Sequence, residues 1–206
     1  MSRLLLILFL CVAGRGIAQQ EGFTAEEISD SVFACMKGKS FPKGCTIKRS
    51  DLRYLTVQHY DAEGTQHTGH LVCHRLIADD LLYIFRKLYE ARYPIERMQL
   101  IDDYGADDER SMTANNTSCF CYRVVDGSKS LSKHARGMAV DINPLYNPCV
   151  KGQRVQPEQG RPFANRTRAF IYKVERGDLL WRLFTERGFR WGGSWRTMKD
   201  WQHFEK

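Results

Sequence analysis

Two histidines and two aspartates in the C-terminal part of the chain have the residue types and spacing of an open zinc site. His134 and Asp141 flank a short apolar segment, and Asp200 and His203 lie near the C-terminus. A catalytic zinc ion binds three protein ligands and keeps a fourth position for water, while a separate carboxylate handles protons. The two histidines and Asp141 are therefore candidate zinc ligands, which leaves Asp200 as the candidate general base.

The elements that must position these residues are two predicted strands and a turn. Alternation along residues 138–142 places the bulky apolar side chains on one face and Asp141 on the other. The same alternation in the C-terminal segment means that pairing between the two strands could bring His203 beside Asp141. Gly137 lets the backbone turn tightly enough to fold His134 back over the end of the first strand.

Each of these residues, taken singly, has a purely structural explanation. A histidine near an apolar strand is commonly a hydrogen-bonded structural residue, and an aspartate close to an Asn-Pro pair commonly forms a turn. The joint pattern favours the metal, because Asp141 in a cleft without a cation would carry a desolvation cost on the order of several kcal/mol.

The same residues resemble the motif of the zinc D-alanyl-D-alanine carboxypeptidases and phage L-alanyl-D-glutamate endopeptidases, which cut peptidoglycan stem peptides. The family pattern Ser-x-His-x-x-Gly-x-Ala-x-Asp is matched from Ser132 to Asp141. An acidic residue, two intervening positions and a His-Phe-Glu ending are matched from Asp200 to Glu205. Further similar segments extend the resemblance to roughly residues 50–206. They are residues 102–105, 110–112, 115–118, 141–144 and 188–193.

The resemblance implies the roles of the four residues described above. One Zn²⁺ ion is expected to be bound by His134, Asp141 and His203. Asp200 is expected to activate the zinc-bound water and later to protonate the leaving amine. These roles agree with the chemistry, because zinc lowers the pKa of its water to about 7 and a nearby carboxylate can then accept the proton.

Three further residues receive roles from the resemblance. Arg110 is expected to hold the scissile carbonyl or a substrate carboxylate, since a guanidinium keeps its charge throughout the reaction. The structural alternative for Arg110 is an ion pair with one of the acidic residues just before it. Ser132 is expected to contact the substrate or to orient His134. Glu205 is expected to orient a ligand rather than to fill the fourth zinc position.

The N-terminus has the composition of a signal peptide. Residues 1–18 contain Arg3 near the start, an apolar run and small residues at a plausible cleavage point after Ala18. The run is too short to span a bilayer. We therefore expect export to the periplasm or the medium, with residues 19–206 forming a single metallopeptidase domain. This domain is expected to be a monomer that does not associate with a membrane once the signal is removed.

The cysteines favour disulfide bonds. Six of the seven follow the predicted signal peptide, and an even number in an exported chain is typical of an oxidising compartment. The preferred pair is Cys35 with Cys45, because the segment between them is rich in turn-forming residues. The remaining pairings stay open. A structural zinc site at Cys119 and Cys121 is less favoured, because the chain has no second closely spaced cysteine pair.

The apolar pattern predicts an α+β fold with a small central antiparallel sheet, flanking helices and the zinc site at the sheet. The clearest helix has a core face that recurs at helical spacing through residues 76–93. A β-hairpin is predicted around the turn at residues 61–64. Helices are predicted at residues 24–37, 76–93 and 177–188, and strands at residues 53–60, 67–74, 98–102, 138–142, 189–191 and 201–205.

The charge pattern and the histidines bear on two other functions, nucleic-acid binding and a second metal site. The chain has 31 lysines and arginines against 24 acidic residues, for a formal net charge of +7. Because the basic residues are scattered among acids with no dense patch, nucleic-acid binding is rejected. Four histidines line the predicted hairpin, and three of them could gather a second metal ion, but their irregular spacing favours solvated or hydrogen-bonded histidines. They are His59, His67, His70 and His74.

The expected function is hydrolysis of peptidoglycan stem peptides by a secreted zinc metallopeptidase, with D-alanyl-D-alanine carboxypeptidase activity preferred. An endopeptidase that cuts within the stem is an alternative, since the motifs do not report the shape of the substrate pocket. A non-catalytic zinc-binding module is a second alternative. Asp200 argues against that module, because a purely structural site has no use for a base.

Overall fold

A computed structural model of the protein describes residues 22–125 and 127–206. The predicted signal peptide, residues 1–18, lies outside the described residues. The described part of the chain contains no helix with the length and apolar character needed to cross a membrane.

The first sheet is antiparallel and contains the predicted hairpin. Its strands, in spatial order, are β1 (Thr24–Glu27), β2 (Leu52–Tyr60) and β3 (Gln66–His74). Strands β2 and β3 pair along their whole length, with Leu52 opposite His74. The side chains of Leu55 and Val57 on β2 are fully buried, because alternation directs them to one face of the sheet. On that face they join the main core, the cluster of buried apolar side chains that the sheet shares with the helix after β3. The hairpin prediction is therefore confirmed.

The prediction of one helix over residues 24–37 is wrong in its first half. Residues 24–27 form strand β1, because they pair with β2 in a register that places Thr24 opposite Thr56. Helix α1 (Asp30–Met36) begins only after Ser29, whose hydroxyl oxygen accepts a hydrogen bond from the backbone N–H of Val32 at 3.3 Å. Pairing with a distant strand thus overrides the local helical preference.

Helix α2 (Arg75–Glu90) covers the sheet and confirms the clearest helix prediction. Its apolar stripe packs into the main core together with the inward side chains of β2 and β3. Leu76 is an exception, because it lies in the first turn and is 65% exposed. The buried residues of α2 are Ile77, Ala78, Leu81, Ile84, Phe85 and Leu88.

The α+β class is confirmed, but in the described part of the chain three antiparallel sheets of three strands each replace the predicted single central sheet. The second sheet has the spatial order β4 (Ala139–Asp141), β9 (His203–Glu205), β7 (Arg190–Trp191). The third has the order β6 (Arg154–Gln156), β5 (Cys149–Lys151), β8 (Lys199–Asp200). Short strands in these two sheets carry the C-terminal motif residues.

Two shorter helices complete the architecture. Helix α4 (Leu179–Glu186) confirms the helix predicted at residues 177–188, and it begins where Asp178 accepts a hydrogen bond from the N–H of Trp181 at 2.6 Å. Helix α3 (Asp108–Thr113) was not predicted. Against the main core, Phe204 of β9 stacks on Phe184 of α4 with ring centroids 4.4 Å apart. This contact anchors the strand that carries His203.

The strand predicted at residues 98–102 is wrong. Residues 101–104 instead form a 3-10 turn. The backbone N–H of Gln99 donates to the side-chain oxygen of Asn116 at 2.8 Å, and the Asn116 amide donates back to the carbonyl of Gln99 at 3.0 Å. Because a side chain takes the place of a neighbouring strand, no continuous ladder forms here.

The predicted disulfides are not present, since all six cysteines of the described residues are free. Cys35 lies on the exposed side of α1, whereas the Cys45 thiol faces the carbonyl of Ile47 at 3.9 Å. Cys73 and Cys119 are buried in the main core as small apolar side chains. The preferred pair, Cys35 with Cys45, is therefore corrected to two separate thiols.

Free cysteines lead to a prediction about stability. A phosphine reductant should shift the thermal midpoint of the protein by no more than about 1 °C, because no covalent cross-link would be lost. The thermal midpoint of the double variant Cys35→Ser, Cys45→Ser should be equally insensitive to the reductant. Differential scanning calorimetry with and without reductant measures both. A drop of several degrees in the wild type that is absent from the double variant would establish the bridge instead.

Candidate metal centre

Strands β4 and β9 bring two of the candidate ligands together. They pair antiparallel with Asp141 directly opposite His203 and Val140 opposite Phe204. Val140 and Phe204 are fully buried in the core. Because neighbouring residues point to opposite faces, Asp141 and His203 share the other face, which borders a cavity. The predicted strand register is therefore confirmed.

A tight turn brings His134 to the same place. Residues His134–Arg136 form a 3-10 turn that ends at Gly137, whose φ is +65°. A Cβ atom at Gly137 would lie 2.7 Å from the backbone nitrogen of His74. That nitrogen donates a hydrogen bond to the Gly137 carbonyl at 2.9 Å. Glycine is required here both for the left-handed backbone and for the close approach of β3.

The three candidate ligands present their donor atoms to one point. His134 Nε2 lies 3.2 Å from His203 Nδ1 and 3.2 Å from Asp141 Oδ2, and His203 Nδ1 lies 3.0 Å from Asp141 Oδ1. Donors at about 2.0–2.2 Å from a tetrahedral zinc ion lie roughly 3.3–3.6 Å apart. Within the described residues this is the only group of three or more metal-ligating side chains close enough to hold an ion. The residues present therefore fit zinc.

Hydrogen bonds outside the triad determine which ring nitrogens face inward. His134 Nδ1 donates to the carbonyl of Cys119 at 2.6 Å, which leaves its Nε2 lone pair for a metal. His203 Nε2 lies 3.4 Å from a carboxylate oxygen of Glu205, whose other oxygen accepts a hydrogen bond from Arg190 at 2.8 Å. Glu205 thus lies behind His203, in the orienting position expected for it.

Ser132 supports His134 from the backbone side. Its hydroxyl oxygen accepts a hydrogen bond from the His134 N–H at 3.1 Å, and the residue is buried. Ser132 also lines the cavity in front of the donor triad. Its position is compatible with both roles expected for it, the orientation of His134 and contact with a substrate.

The electrostatics of the triad favour a positive charge between its members. Although burial opposes ionisation, His134 and His203 hold the pKa of Asp141 well below its usual range. Burial lowers the pKa of His203, but hydrogen bonds to Asp141 and Glu205 outweigh it and raise the pKa to about 10. A group of buried carboxylates that stabilises a proton this strongly also stabilises a divalent cation in the same place.

Asp200 lies at the end of β8 and lines the same cavity as the triad. Its Oδ1 atom is buried and has no hydrogen-bond partner within the described residues. Burial, followed by the nearby Asp141 carboxylate, raises its pKa to about 6 despite the opposing influence of His203. A buried carboxylate oxygen without a donor is costly for folding and is typical of a functional site.

The backbone beside Asp200 leaves no room for a larger residue. A Cβ atom at Gly192 would lie 2.7 Å from the Asp200 carbonyl oxygen and 3.2 Å from the His203 Cβ. The turn at residues 192–194 therefore packs directly on the segment that carries both residues. This contact positions Asp200 beside the candidate ligand His203.

The cavity in front of the triad has a volume of about 630 Å³. Apolar side chains form much of its wall, and basic side chains surround the acidic centre, so an anionic peptide would meet both apolar contacts and positive charge. The apolar residues are Met112, Val124, Val125, Leu131, Trp195 and Met198. The basic residues are Arg123, Lys133, Lys151 and Arg154.

The structure places Arg110, expected to contact the substrate, on the exposed side of α3 and outside the cavity lining. A different arginine, Arg123, lines the cavity and forms an ion pair with Asp108. Sequence reasoning missed Arg123. The sequence did contain a signal for Arg123, because this residue lies just after the matching segment 115–118. Between them lies Cys121, whose backbone N–H donates a hydrogen bond to the His134 carbonyl at 3.2 Å.

A donor triad of two imidazoles and one carboxylate, beside a second carboxylate that has one unpartnered oxygen in a cavity, is the arrangement of open-site zinc hydrolases. Residues 126–206 match the family model described as D-alanyl-D-alanine carboxypeptidase, a family of zinc peptidases. The match confirms the resemblance recognised in the sequence over these residues, which include all three candidate ligands and Asp200, and it does not extend to residues 50–125. No curated protein and no solved structure matches the chain.

The raised pKa of His203 predicts how zinc affinity depends on pH. Zinc must displace the proton held on His203. Below the pKa of His203, the apparent affinity for zinc should therefore rise with pH, by up to about tenfold per pH unit for each proton released. Competition titration with a chelator between about pH 6 and pH 8 measures this slope. The variant His67→Gln removes a histidine outside the triad and should leave the slope unchanged. A wild-type affinity that is constant over this range would contradict the assignment.

Proposed function

We propose that the protein is a secreted zinc metallopeptidase that hydrolyses peptide bonds in peptidoglycan stem peptides, with D-alanyl-D-alanine carboxypeptidase as the preferred activity. The observation that carries the proposal is the unpartnered Oδ1 of Asp200 in the cavity of the His134–Asp141–His203 triad. The family match over residues 126–206 supports the zinc peptidase class and the peptidoglycan-derived substrate. Export rests on the signal-peptide pattern of residues 1–18.

In this proposal the triad holds one zinc ion, which when bound acidifies a water molecule and polarises the scissile carbonyl. Asp200 accepts the proton of the attacking water on its free oxygen and delivers it to the leaving amine. Its raised pKa suits both directions of transfer near neutral pH. Glu205 keeps the His203 ring in its orientation, and Cys119 does the same for His134 through its carbonyl.

We assign to Arg123 the role first expected of Arg110. Its guanidinium lies on the cavity wall, its side chain is 33% exposed, and its ion pair with Asp108 holds it in place. A fork of N–H donors at this position can bind the scissile carbonyl oxygen as it becomes negative, or a substrate carboxylate. Arg110 instead lies in the surface turn of α3, where Asp107 accepts a hydrogen bond from its backbone N–H at 2.9 Å.

An endopeptidase that cuts within the stem peptide is the second candidate. The observation that favours it is the exposure of the apolar wall, since Val124 is 50% and Val125 43% exposed. Such a wall could continue to contact a peptide beyond a single terminal residue. A non-catalytic zinc module is less well supported, because it would bury the unpartnered Asp200 oxygen without using it.

Digestion of purified peptidoglycan tests the proposal. Protein is incubated with sacculi alone, with a chelator, and with a chelator followed by excess zinc, and mass spectrometry identifies the released pieces. Zinc-dependent release of D-alanine supports the carboxypeptidase, and new N-termini within the stem support the endopeptidase. Absence of any cleavage by folded, zinc-loaded protein would overturn the enzymatic proposal in favour of a binding module.

Asp200→Asn should retain zinc and lose most turnover, by about 10²–10⁴-fold, because the amide cannot accept the proton. His203→Ala should lose both zinc and activity, since it removes a ligand. Zinc content by atomic absorption and kcat on a stem-peptide substrate are measured for both variants. Near-normal turnover of zinc-loaded Asp200→Asn would remove the base assignment.

The two arginines give a matched pair of variants. Arg123→Lys preserves the charge beside Asp108 but removes the planar fork, so kcat/KM should fall by about 10²-fold. Arg110→Lys makes the same chemical change on the surface and should leave kcat/KM within about twofold of the wild type. Circular dichroism confirms that both variants are folded. Equal losses in the two variants, or a loss confined to Arg110→Lys, would refute the assignment of Arg123.

A further inference from the structure

A second cavity, of about 580 Å³, lies at the turn end of the β2–β3 hairpin. We call it the hairpin pocket. It shares no lining residue with the candidate metal centre. Its lining is polar and aromatic, unlike an ordinary gap in the core. It consists of His59, Asp61, Ala62, Glu63, His67, Thr68, Glu96, Arg97, Met98, Gln99, Tyr146, Ile171 and Tyr172.

The floor of the hairpin pocket contains a buried histidine with an unused acceptor. His59 is only 4% exposed, and its Nδ1 donates to the carbonyl of Ile95 at 2.7 Å. This hydrogen bond leaves Nε2 as an acceptor, and Nε2 has no hydrogen-bond partner within the described residues. Burial lowers the pKa of His59, which keeps the ring neutral at physiological pH. Because Nε2 is not among the fully buried unpartnered atoms of the described residues, it is accessible from the hairpin pocket to a donor on a ligand or to water.

Carboxylates surround this acceptor. Asp61, Glu63 and Glu96 line the hairpin pocket against a single guanidinium, that of Arg97. One oxygen of Glu96 accepts a hydrogen bond from the Asn115 amide at 2.8 Å, and its other oxygen has no partner in the described part of the chain. In a chain whose formal net charge is +7, this pocket is locally negative. It therefore selects a ligand that is positively charged and donates hydrogen bonds.

Aromatic and apolar side chains complete the wall. The rings of Tyr146 and Tyr172 lie 5.1 Å apart, and the exposed Ile171 and the buried Met98 border them. Tyr172 is buried although its backbone φ is +64°, a strained value for an aromatic residue. Such surfaces bind the hydrocarbon part of a ligand, and tyrosine rings also attract cations.

The geometry does not favour a second metal ion. The His67 ring is already engaged, since its Nε2 lies 2.7 Å from a carboxylate oxygen of Asp61. Among the described residues, no three ligating atoms in this pocket approach one another as closely as those of the zinc triad. An organic cation with several N–H donors can reach separated acceptors, whereas one metal ion cannot.

We propose that the hairpin pocket binds an alkylammonium group carried on an apolar chain, as in a lysine-type side chain. The ammonium donates hydrogen bonds to His59 Nε2 and to the free oxygen of Glu96, and the chain packs on Tyr146 and Ile171. The site is independent of the proposed peptidase chemistry, because its residues are separate from the triad and from Asp200.

Binding is tested by NMR titration of the purified full-length protein with N-acetyl-lysine amide. N-acetyl-norleucine amide, which has a similar chain without the amine, is the matched control ligand. Saturable shifts of the Thr68 and Gln99 backbone amides are expected with the lysine compound alone. Equal shifts with both compounds, or no saturable shift with either, would overturn the proposal. Shifts of the same amides with Ca²⁺ or Zn²⁺ but not with the lysine compound would replace it by a metal site.

Glu96→Gln tests the charge without removing the hydrogen bond from Asn115. The dissociation constant for N-acetyl-lysine amide should rise at least about tenfold, because the amide NH2 that replaces the free carboxylate oxygen cannot accept a hydrogen bond from the ammonium. Glu26→Gln makes the same change at an exposed position on β1 and should leave the constant unchanged. Unchanged binding by folded Glu96→Gln would contradict the proposed contact. Hydrolysis of stem peptides should be the same in both variants. Failure of the lysine-binding proposal can therefore be distinguished from failure of the peptidase proposal.

Discussion

The pairing of β4 with β9 is the interaction on which the candidate metal centre depends. It places Asp141 opposite His203 and buries Val140 and Phe204 on the reverse face. A slip of one residue would move the candidate ligands into the core and the apolar side chains into the cavity. The stack of Phe204 on Phe184 therefore does more than fill the core, because it holds the register that presents the ligands.

The remaining parts of the centre are brought to this strand pair by close backbone contacts. Gly137 lets β3 approach the turn that carries His134, and Gly192 lets another turn pack against Asp200. Hydrogen bonds from behind then orient the two imidazole rings. The result is a cluster of carboxylates and histidines that favours a cation, beside one buried carboxylate oxygen, Asp200 Oδ1, that has no hydrogen-bond partner among the described residues.

Local patterns in the sequence predicted much of this arrangement. Period-two alternation predicted the faces of β4 and β9, and helical periodicity predicted α2 and α4. Failures occurred where distant segments compete for the same backbone. Residues 24–27 pair with β2 instead of extending α1, and the Asn116 side chain takes the hydrogen bonds that a strand at residues 98–102 would need.

The sequence by itself determined the chemical identity of the centre: the residue types at His134, Asp141, Asp200 and His203, and the strand faces that carry them. These are local properties, since side-chain chemistry and backbone alternation need no information about the rest of the chain. Only the tertiary structure decided that Arg123 rather than Arg110 lines the cavity. Within residues 22–125 and 127–206, it also decided that the cysteines are free and that the strands form three sheets. Each of these depends on which distant segments pack together, and that choice is made by burial and backbone pairing across the whole fold.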